Sequence, residues 1–95
     1  MLIQHSGNGK IRKKTWMPYF QEILDGNKTF DVRLANFECK PKDILVLEEY
    51  DPKTKKYTGR VLEKKITFVL NTKNQKFWSQ KDIQKHGLLV ISLAK

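Results

Sequence analysis

The spacing of the apolar residues changes at Gly26, and this change constrains the fold more than any other feature of the chain. Before Gly26, apolar side chains recur at the three-and-four spacing of a helix face: Phe20, Ile23 and Leu24. Pro18 suits a first helical turn, and Gly26 suits the left-handed residue that ends a helix. The pattern therefore predicts a short helix over residues 18–25.

After Gly26 the apolar residues follow the two-residue period of a half-buried strand, which is predicted over residues 29–33. Phe30 and Val32 would face the core. The alternation places three polar side chains on the opposite face: Thr29, Asp31 and Arg33. Lys28 lies at the preceding turn, and its flexible stem is long enough to swing over that face.

The three charged side chains of this stretch form a candidate binding cleft. A carboxylate at Asp31, flanked by Lys28 and Arg33, should stay ionised and hold the arginine fork in place. Such a group can accept a phosphate, a carboxylate or a base edge. The alternative is an ordinary solvated strand face, since surface ion pairs are common and weak.

The rest of the chain predicts further short elements. Strands are expected over residues 10–16, 44–47, 60–70 and 88–93. The strand at 44–47 is an apolar run expected to be buried on both faces, and it should pair with 60–70 in an antiparallel hairpin with a long tip. Ser79 with Asp82 three residues later, and then Gly87, predict a second short helix. This organisation is α+β and rich in strands.

Length and charge narrow the class of protein. The chain has 95 residues, which predicts one domain over residues 10–95 after a flexible arm over residues 1–9. It carries 19 basic and 10 acidic residues, a net charge of +9. Polyanions are therefore the first partners to consider, although such charge also serves solubility in small lysine-rich proteins.

Cysteine and histidine usage argues against two further classes of site. Cys39 is the single cysteine, so no internal disulfide forms, and it is interpreted as a loop or core residue. His5 and His86 are far apart in sequence, so no metal site and no cofactor are expected. No apolar run has the length of a membrane span. These features predict a cytoplasmic protein without a membrane partner.

The run Gly26, Lys28, Asp31 and Arg33 resembles the G-x-K-x-x-E-x-R signature of the ASCH domain, a branch of the PUA-like superfamily, with Asp in place of Glu. The resemblance extends over roughly residues 10–93. Over this stretch the chain is similar to a group of small bacterial and phage ASCH-like proteins. Three further stretches carry it: residues 16–24, 43–51 and 57–60. That group usually has Gly where this chain has Lys42. The resemblance implies a small, partly open PUA-like β-barrel of about five strands with two short helices.

PUA-like domains commonly bind RNA, so the resemblance implies a module that binds RNA, another nucleic acid or a nucleotide-like small molecule. Lys28 and Arg33 would contact phosphate or base edges, and Asp31 would orient Arg33 or accept from a base amino group. Three lysines would attract the backbone: Lys13, Lys14 and Lys65. Two aromatic residues would border the cleft, where rings stack on unpaired bases: Trp16 and Tyr50.

Two alternatives remain open. Some small ASCH-type proteins are amidohydrolases that remove an acyl group from cytidine, using the lysine of this motif, a threonine three residues later and a distal glutamate. Lys28 matches that lysine and Asp31 occupies the threonine position, so Asp31 would act as general base and Lys28 would stabilise negative charge. Glu48 or Glu49 would supply a second carboxylate. The other alternative is an accessory protein that binds another protein through its basic face.

Overall fold

The computed structural model describes residues 9–87, Ser92 and Ala94. Within this part of the chain the fold is α+β, as predicted, with three strands in one open sheet and two short α-helices. The elements in chain order are β1 (Lys10–Trp16), α1 (Met17–Leu24), β2 (Ile44–Asp51), β3 (Lys56–Lys65) and α2 (Gln80–His86), with a 3-10 turn (Thr72–Asn74) before α2. The predicted arm and the predicted strand over residues 88–93 lie almost wholly outside the described residues.

The central strand, β2, pairs with both of its neighbours. It runs parallel to β1, with Lys10 opposite Ile44 and Trp16 opposite Tyr50. It runs antiparallel to β3, which confirms the predicted hairpin. Because parallel neighbours need a crossover, the chain returns from β1 to β2 through α1 and then through residues 25–43, which contain no helix or strand.

The hairpin differs from the prediction at its turn. The tip is short, residues 52–55, and β3 already begins at Lys56 and ends at Lys65, whereas the predicted strand was 60–70. Gly59 does not end the turn. It lies inside β3 with φ of 97°, where the pairing register shifts between Glu48 and Tyr50. A positive φ at a register shift is the geometry of a bulge, so Gly59 permits the bulge.

Helix α1 forms as predicted, displaced by one residue at each end. Pro18 lies in its first turn. Gly26 has φ of 82°, and its amide donates to the carbonyl of Ile23 at 3.1 Å. The helix packs Phe20 and Ile23 against Leu47 of β2, and two partly buried residues complete this core: Leu45 and Leu62. Because α1 is packed against the sheet, the position at which residues 27–33 begin is fixed.

A buried carboxylate fastens the hairpin to α1. Glu49 of β2 accepts from Thr58 at 2.6 Å and from two nitrogens of Arg60, each at 2.9 Å. Arg60 also donates to Gln21 at 2.9 Å, and its guanidinium carbon lies 5.1 Å from the ring centroid of Phe20. The hydrogen bonds from Arg60 hold the pKa of Glu49 below its usual value, because they favour the charged carboxylate against the cost of burying it.

The predicted strand over residues 29–33 is wrong, because these residues form no regular secondary structure. Within residues 9–87, β1 has no second strand partner, and its outer edge is contacted by a side chain: Nη1 of Arg33 donates to the carbonyl of Lys14 at 2.8 Å. Phe30 is half-buried and Val32 is 64% exposed, so the alternating pair does not face the core. The described residues therefore contain three of the five expected strands.

Helix α2 confirms the second helix prediction. The hydroxyl of Ser79 accepts from the amide of Asp82 at 3.1 Å, and the amide of Gly87, with φ of 72°, donates to Ile83 at 2.7 Å. Among the described residues, neither helix has the length and apolar character needed to cross a membrane.

Candidate functional site

An open recess of about 560 Å³ lies where the end of β1 and the start of α1 meet residues 28–33. The three charged residues predicted from the motif all line it. We call this recess the main recess, and its lining residues are Lys14, Thr15, Trp16, Tyr19, Lys28, Phe30, Asp31, Val32 and Arg33. The sequence therefore brings the lysine, the carboxylate and the arginine to one concave surface, although not on a strand.

The helix end fixes the position of Lys28. The amides of Asn27 and Lys28 both donate to the carbonyl of Glu22 at 3.0 Å, one turn back in α1. The side chain then folds over Phe30, with Nζ donating to the Phe30 carbonyl at 2.7 Å and lying 4.5 Å from the ring centroid. Burial lowers the pKa of Lys28, and Arg33 acts in the same direction while Asp31 opposes it. The ammonium is thus partly desolvated at the wall of the recess.

Asp31 and Arg33 form the tightest ion pair of this region. Nε of Arg33 donates to Oδ2 of Asp31 at 2.6 Å. The other two guanidinium nitrogens bind β1, with Nη1 donating to the Lys14 carbonyl at 2.8 Å and Nη2 to the Thr15 hydroxyl at 3.0 Å. All three nitrogens of Arg33 are therefore engaged by the protein. This geometry makes Arg33 a clamp between residues 31–33 and β1 that also orients Asp31.

Among the described residues, the second oxygen of Asp31 accepts no hydrogen bond. Oδ1 lies 4.0 Å from Nζ of Lys28, which is within ion-pair range but too long for a hydrogen bond. The two groups therefore present an acceptor and a donor side by side. Their side chains are 24% and 16% exposed and both residues line the recess, so a ligand would contact them inside it.

Two exposed aromatic residues stand at the rim. Trp16, predicted as a site residue, is 50% exposed and lines the recess. Tyr19, which is 55% exposed and also lines it, was not among the predicted site residues. The sequence could have indicated Tyr19. Tyr19 follows Trp16 by three residues at the start of the predicted helix, and this spacing places two side chains on the same side of a helix.

Three of the predicted site residues lie elsewhere. Tyr50 does not line the main recess. Its ring packs edge-on against Tyr57, with centroids 5.2 Å apart. Lys65 pairs with Ile44 from β3, on the far side of β2 from the recess. Lys13 faces a second, smaller recess, while Lys14 does line the main one.

The second recess measures about 270 Å³ and adjoins the first along Val32 and Arg33. We call it the side recess, and its lining residues are Lys13, Val32, Arg33, Leu34, Asn36 and Phe37. Nζ of Lys13 lies 3.6 Å from the ring centroid of Phe37, a cation–π contact that connects β1 to residues 34–37.

The remaining carboxylate and thiol candidates are placed away from the main recess. Glu48 pairs with Arg12 at 3.1 Å, and Glu49 is enclosed by Thr58 and Arg60. Neither glutamate lines the recess. Cys39 is partly buried, and desolvation raises the pKa of its thiol, which disfavours the reactive thiolate. Asp31 is therefore the carboxylate that a ligand in the recess would meet.

A family model described as a domain of unknown function, DUF3850, matches residues 12–86. The chain belongs to the DUF3850 family. The matched part of the chain contains every lining residue of both recesses, together with most of β1 and both helices. Neither the curated proteins nor the solved structures contain a match to this DUF3850 domain.

Proposed function

We propose that this DUF3850 domain binds nucleic acid, with single-stranded RNA as the preferred class, and that an unpaired base occupies the main recess. The observation that carries the proposal is the convergence of Lys28, Asp31 and Arg33 on one recess of about 560 Å³. That volume falls within the range of small-molecule sites, roughly 300–1,000 Å³, and suits one nucleotide.

The rim supplies surfaces for stacking. Trp16 and Tyr19 are both about half exposed although they border a concave site, where a core role would bury them. Proteins that bind single strands stack bases on such rings, and each stacked base contributes roughly 1–3 kcal/mol. The net charge of +9 adds a general attraction for the phosphate backbone.

The lining of the main recess includes two polar groups that could bind the edge of a base. Oδ1 of Asp31 accepts and Nζ of Lys28 donates, so together they match a base edge that presents a donor beside an acceptor. Arg33 holds Oδ2 of the same carboxylate, which keeps Oδ1 directed at the ligand. Arg33 itself acts here as a positioning residue, since its own nitrogens are engaged by β1 and Asp31.

The proposal includes the relationship to ASCH domains and, with it, the finer architecture of a partly open PUA-like barrel. The motif residues, the helix that precedes them and the β2–β3 hairpin support this relationship. An experimental structure would test it: further strands that close the sheet around β1 or β3 would support a barrel, and an isolated three-stranded sheet would contradict it.

Titration of fluorescently labelled single-stranded RNA at several salt concentrations tests the function. If about four phosphates are neutralised, the affinity should fall with a log–log salt slope of about 3. Asp31→Asn and Trp16→Ala should each weaken binding, and duplex RNA should bind less tightly, because its bases are not free to enter the recess. No measurable association at low salt would refute the proposal.

A second candidate function rests on the environment of Lys28. Its pKa is lowered by burial, and a carboxylate lies 4.0 Å away, which suits hydrolysis of an acylated nucleoside to the nucleoside and a carboxylic acid. In this scheme Asp31 takes the proton of the attacking water and Lys28 stabilises the developing oxyanion. Incubation with N4-acetylcytidine should release cytidine, and Lys28→Ala should abolish the release. Unchanged substrate with the wild-type protein would exclude this activity.

A further inference from the structure

We propose that the main recess and the side recess form one continuous path for at least two successive nucleotides, with the side recess holding the backbone of the second. This inference rests on the proposed function. Its ligand is therefore a single strand and not a free nucleotide. The observation behind it is that Val32 and Arg33 line both recesses, so the two recesses adjoin at these residues.

The sizes of the two recesses suit different parts of a strand. The main recess, at about 560 Å³, has the volume of a small-molecule site, and it carries the exposed rings and the acceptor–donor pair. The side recess, at about 270 Å³, is below that range and has one half-buried ring, Phe37, which a lysine already covers. It therefore suits a phosphate with its sugar better than a second stacked base.

The charges along β1 point the same way. Lys10 is paired with Glu63 and Arg12 with Glu48, each at 3.1 Å. Lys13 and Lys14, by contrast, form no ion pair with any residue in the described part of the chain. Each recess therefore has one of these two lysines among its lining residues. Nζ of Lys14 lies over Tyr50, outside the main recess, and Lys28 supplies the cation inside it.

Each of these lysines is held without losing its ability to bind an anion. Nζ of Lys13 lies over Phe37 at 3.6 Å, and Nζ of Lys14 lies over Tyr50 at 4.2 Å. A ring contacts one side of an ammonium and leaves its other N–H donors for a phosphate oxygen. The rings thus reduce the conformational freedom that each lysine would lose when it binds.

The wall between the recesses is rigid. Arg33 is fixed at all three of its nitrogens, to Asp31 on one side and to the backbone and hydroxyl of β1 on the other. A ligand confined to the main recess would leave Lys13 unused. A strand that passes this wall meets a cation on both sides of it, which is the charge pattern expected for consecutive phosphates.

Ligand length provides the test. Affinities are measured by calorimetry for a nucleoside 5′-monophosphate, a 5′-phosphorylated dinucleotide and a 5′-phosphorylated tetranucleotide, so that each added nucleotide adds one phosphate. The dinucleotide should bind about tenfold more tightly than the monophosphate, the scale of one added charge-assisted contact. Lys13→Gln should remove most of this gain and lower the monophosphate affinity by a much smaller factor. Asn36→Asp, which puts a negative charge into the side recess, should have the same effect, and Lys65→Gln should have none.

The outcomes separate the two proposals. If the monophosphate and the dinucleotide bind equally, or if Lys13→Gln and Asn36→Asp leave the gain intact, the two-recess path is wrong and the main recess alone binds. If polyglutamate competes as well as the tetranucleotide, the side recess is a general polyanion surface, which also overturns the inference. If no nucleotide of any length binds, the proposed function itself fails. Thermal unfolding of each variant verifies that it is folded.

Discussion

The two arginines that bind carboxylates in this domain do so with different results. Arg60 takes both oxygens of Glu49, whose side chain is only 5% exposed, and Thr58 completes the enclosure. Arg33 takes one oxygen of Asp31, whose side chain is 24% exposed, and leaves the other oxygen facing Lys28. The first pair is closed to ligands, and the second is open.

The two pairs are neighbours in the sheet. Thr15, which accepts from Arg33, lies opposite Glu49 in the β1–β2 register. Adjacent strands are about 4.8 Å apart, so one step across the sheet separates the closed pair from the open one. The same arginine–carboxylate chemistry therefore stabilises the fold on the β3 side and forms a candidate binding site on the β1 side.

The largest expected effect comes from removing the core side chain on the closed side. Phe20→Ala should destabilise the domain by about 3–5 kcal/mol, because it empties a fully buried site and removes the ring under Arg60. Urea denaturation measures the change. Leu24→Ala, at a position in the same helix that is 45% exposed, is the control and should cost much less. Equal losses would mean that the core is not centred on Phe20.

The next largest effect is expected from low pH, which should weaken the contribution of the Glu49–Arg60 pair to the stability of the domain. The pKa of Glu49 is lowered in the folded state, so its contribution to stability is present above the ordinary glutamate pKa of about 4.3 and is lost as the pH falls through the lowered folded value. Urea denaturation from pH 7 to pH 3 should therefore show a fall in stability that Glu49→Gln reduces. The two proteins should differ most at neutral pH, and parallel curves would contradict this role.

The open pair should respond in binding and not in stability. Asp31→Asn should change the free energy of unfolding by less than about 1 kcal/mol, because the carboxylate keeps contact with solvent and lies outside the buried cluster of Phe20, Ile23 and Leu47. Its affinity for single-stranded RNA should fall by about tenfold, since the amide oxygen would accept from Arg33 and leave the NH2 group, a donor, beside Lys28. Asp31→Glu is the matched control that keeps the carboxylate, and it should retain more affinity. A large loss of stability without a loss of affinity would reverse the comparison.

The smallest effect is expected from single lysines. Lys14→Gln removes one cation beside the main recess, so the log–log salt slope for RNA binding should decrease by about 0.7. Lys65→Gln, on the opposite side of the sheet, is the matched control and should leave the slope unchanged. Equal decreases for both variants would indicate attraction by net charge without a defined path.

Local patterns predicted the helices well. The cap at Ser79 and the glycines at positions 26 and 87 set helix ends that depend on nearby residues only, and the structure has them. The alternation of Phe30 and Val32 led to the wrong prediction of a strand over residues 29–33. A two-residue period fits any extended segment and does not specify a hydrogen-bonded partner strand. Lys42 has a φ of 82°, a left-handed conformation that glycine adopts more readily, and the local pattern did not reveal it.

The composition of the site depended on contacts across the chain. The motif gave Lys28, Asp31 and Arg33, which lie close together in sequence. The motif did not reveal that β1 pairs in parallel with β2. This pairing determines which residues of the strands lie opposite one another, and therefore Tyr50 and Lys65 were misplaced. The engagement of Arg33 by the backbone of Lys14 likewise involves positions 19 apart, which no local spacing reveals.

The crossover between the parallel strands has a consequence for how such domains diversify. Residues 28–37 supply most of both recesses, yet they contain no helix or strand and contribute no side chain to the buried cluster of Phe20, Ile23 and Leu47. Insertions or exchanges there need not disturb the packed framework. Exchange of this connection would therefore alter the charged lining of the main recess, while Trp16 and Tyr19 would remain beside it as parts of β1 and α1.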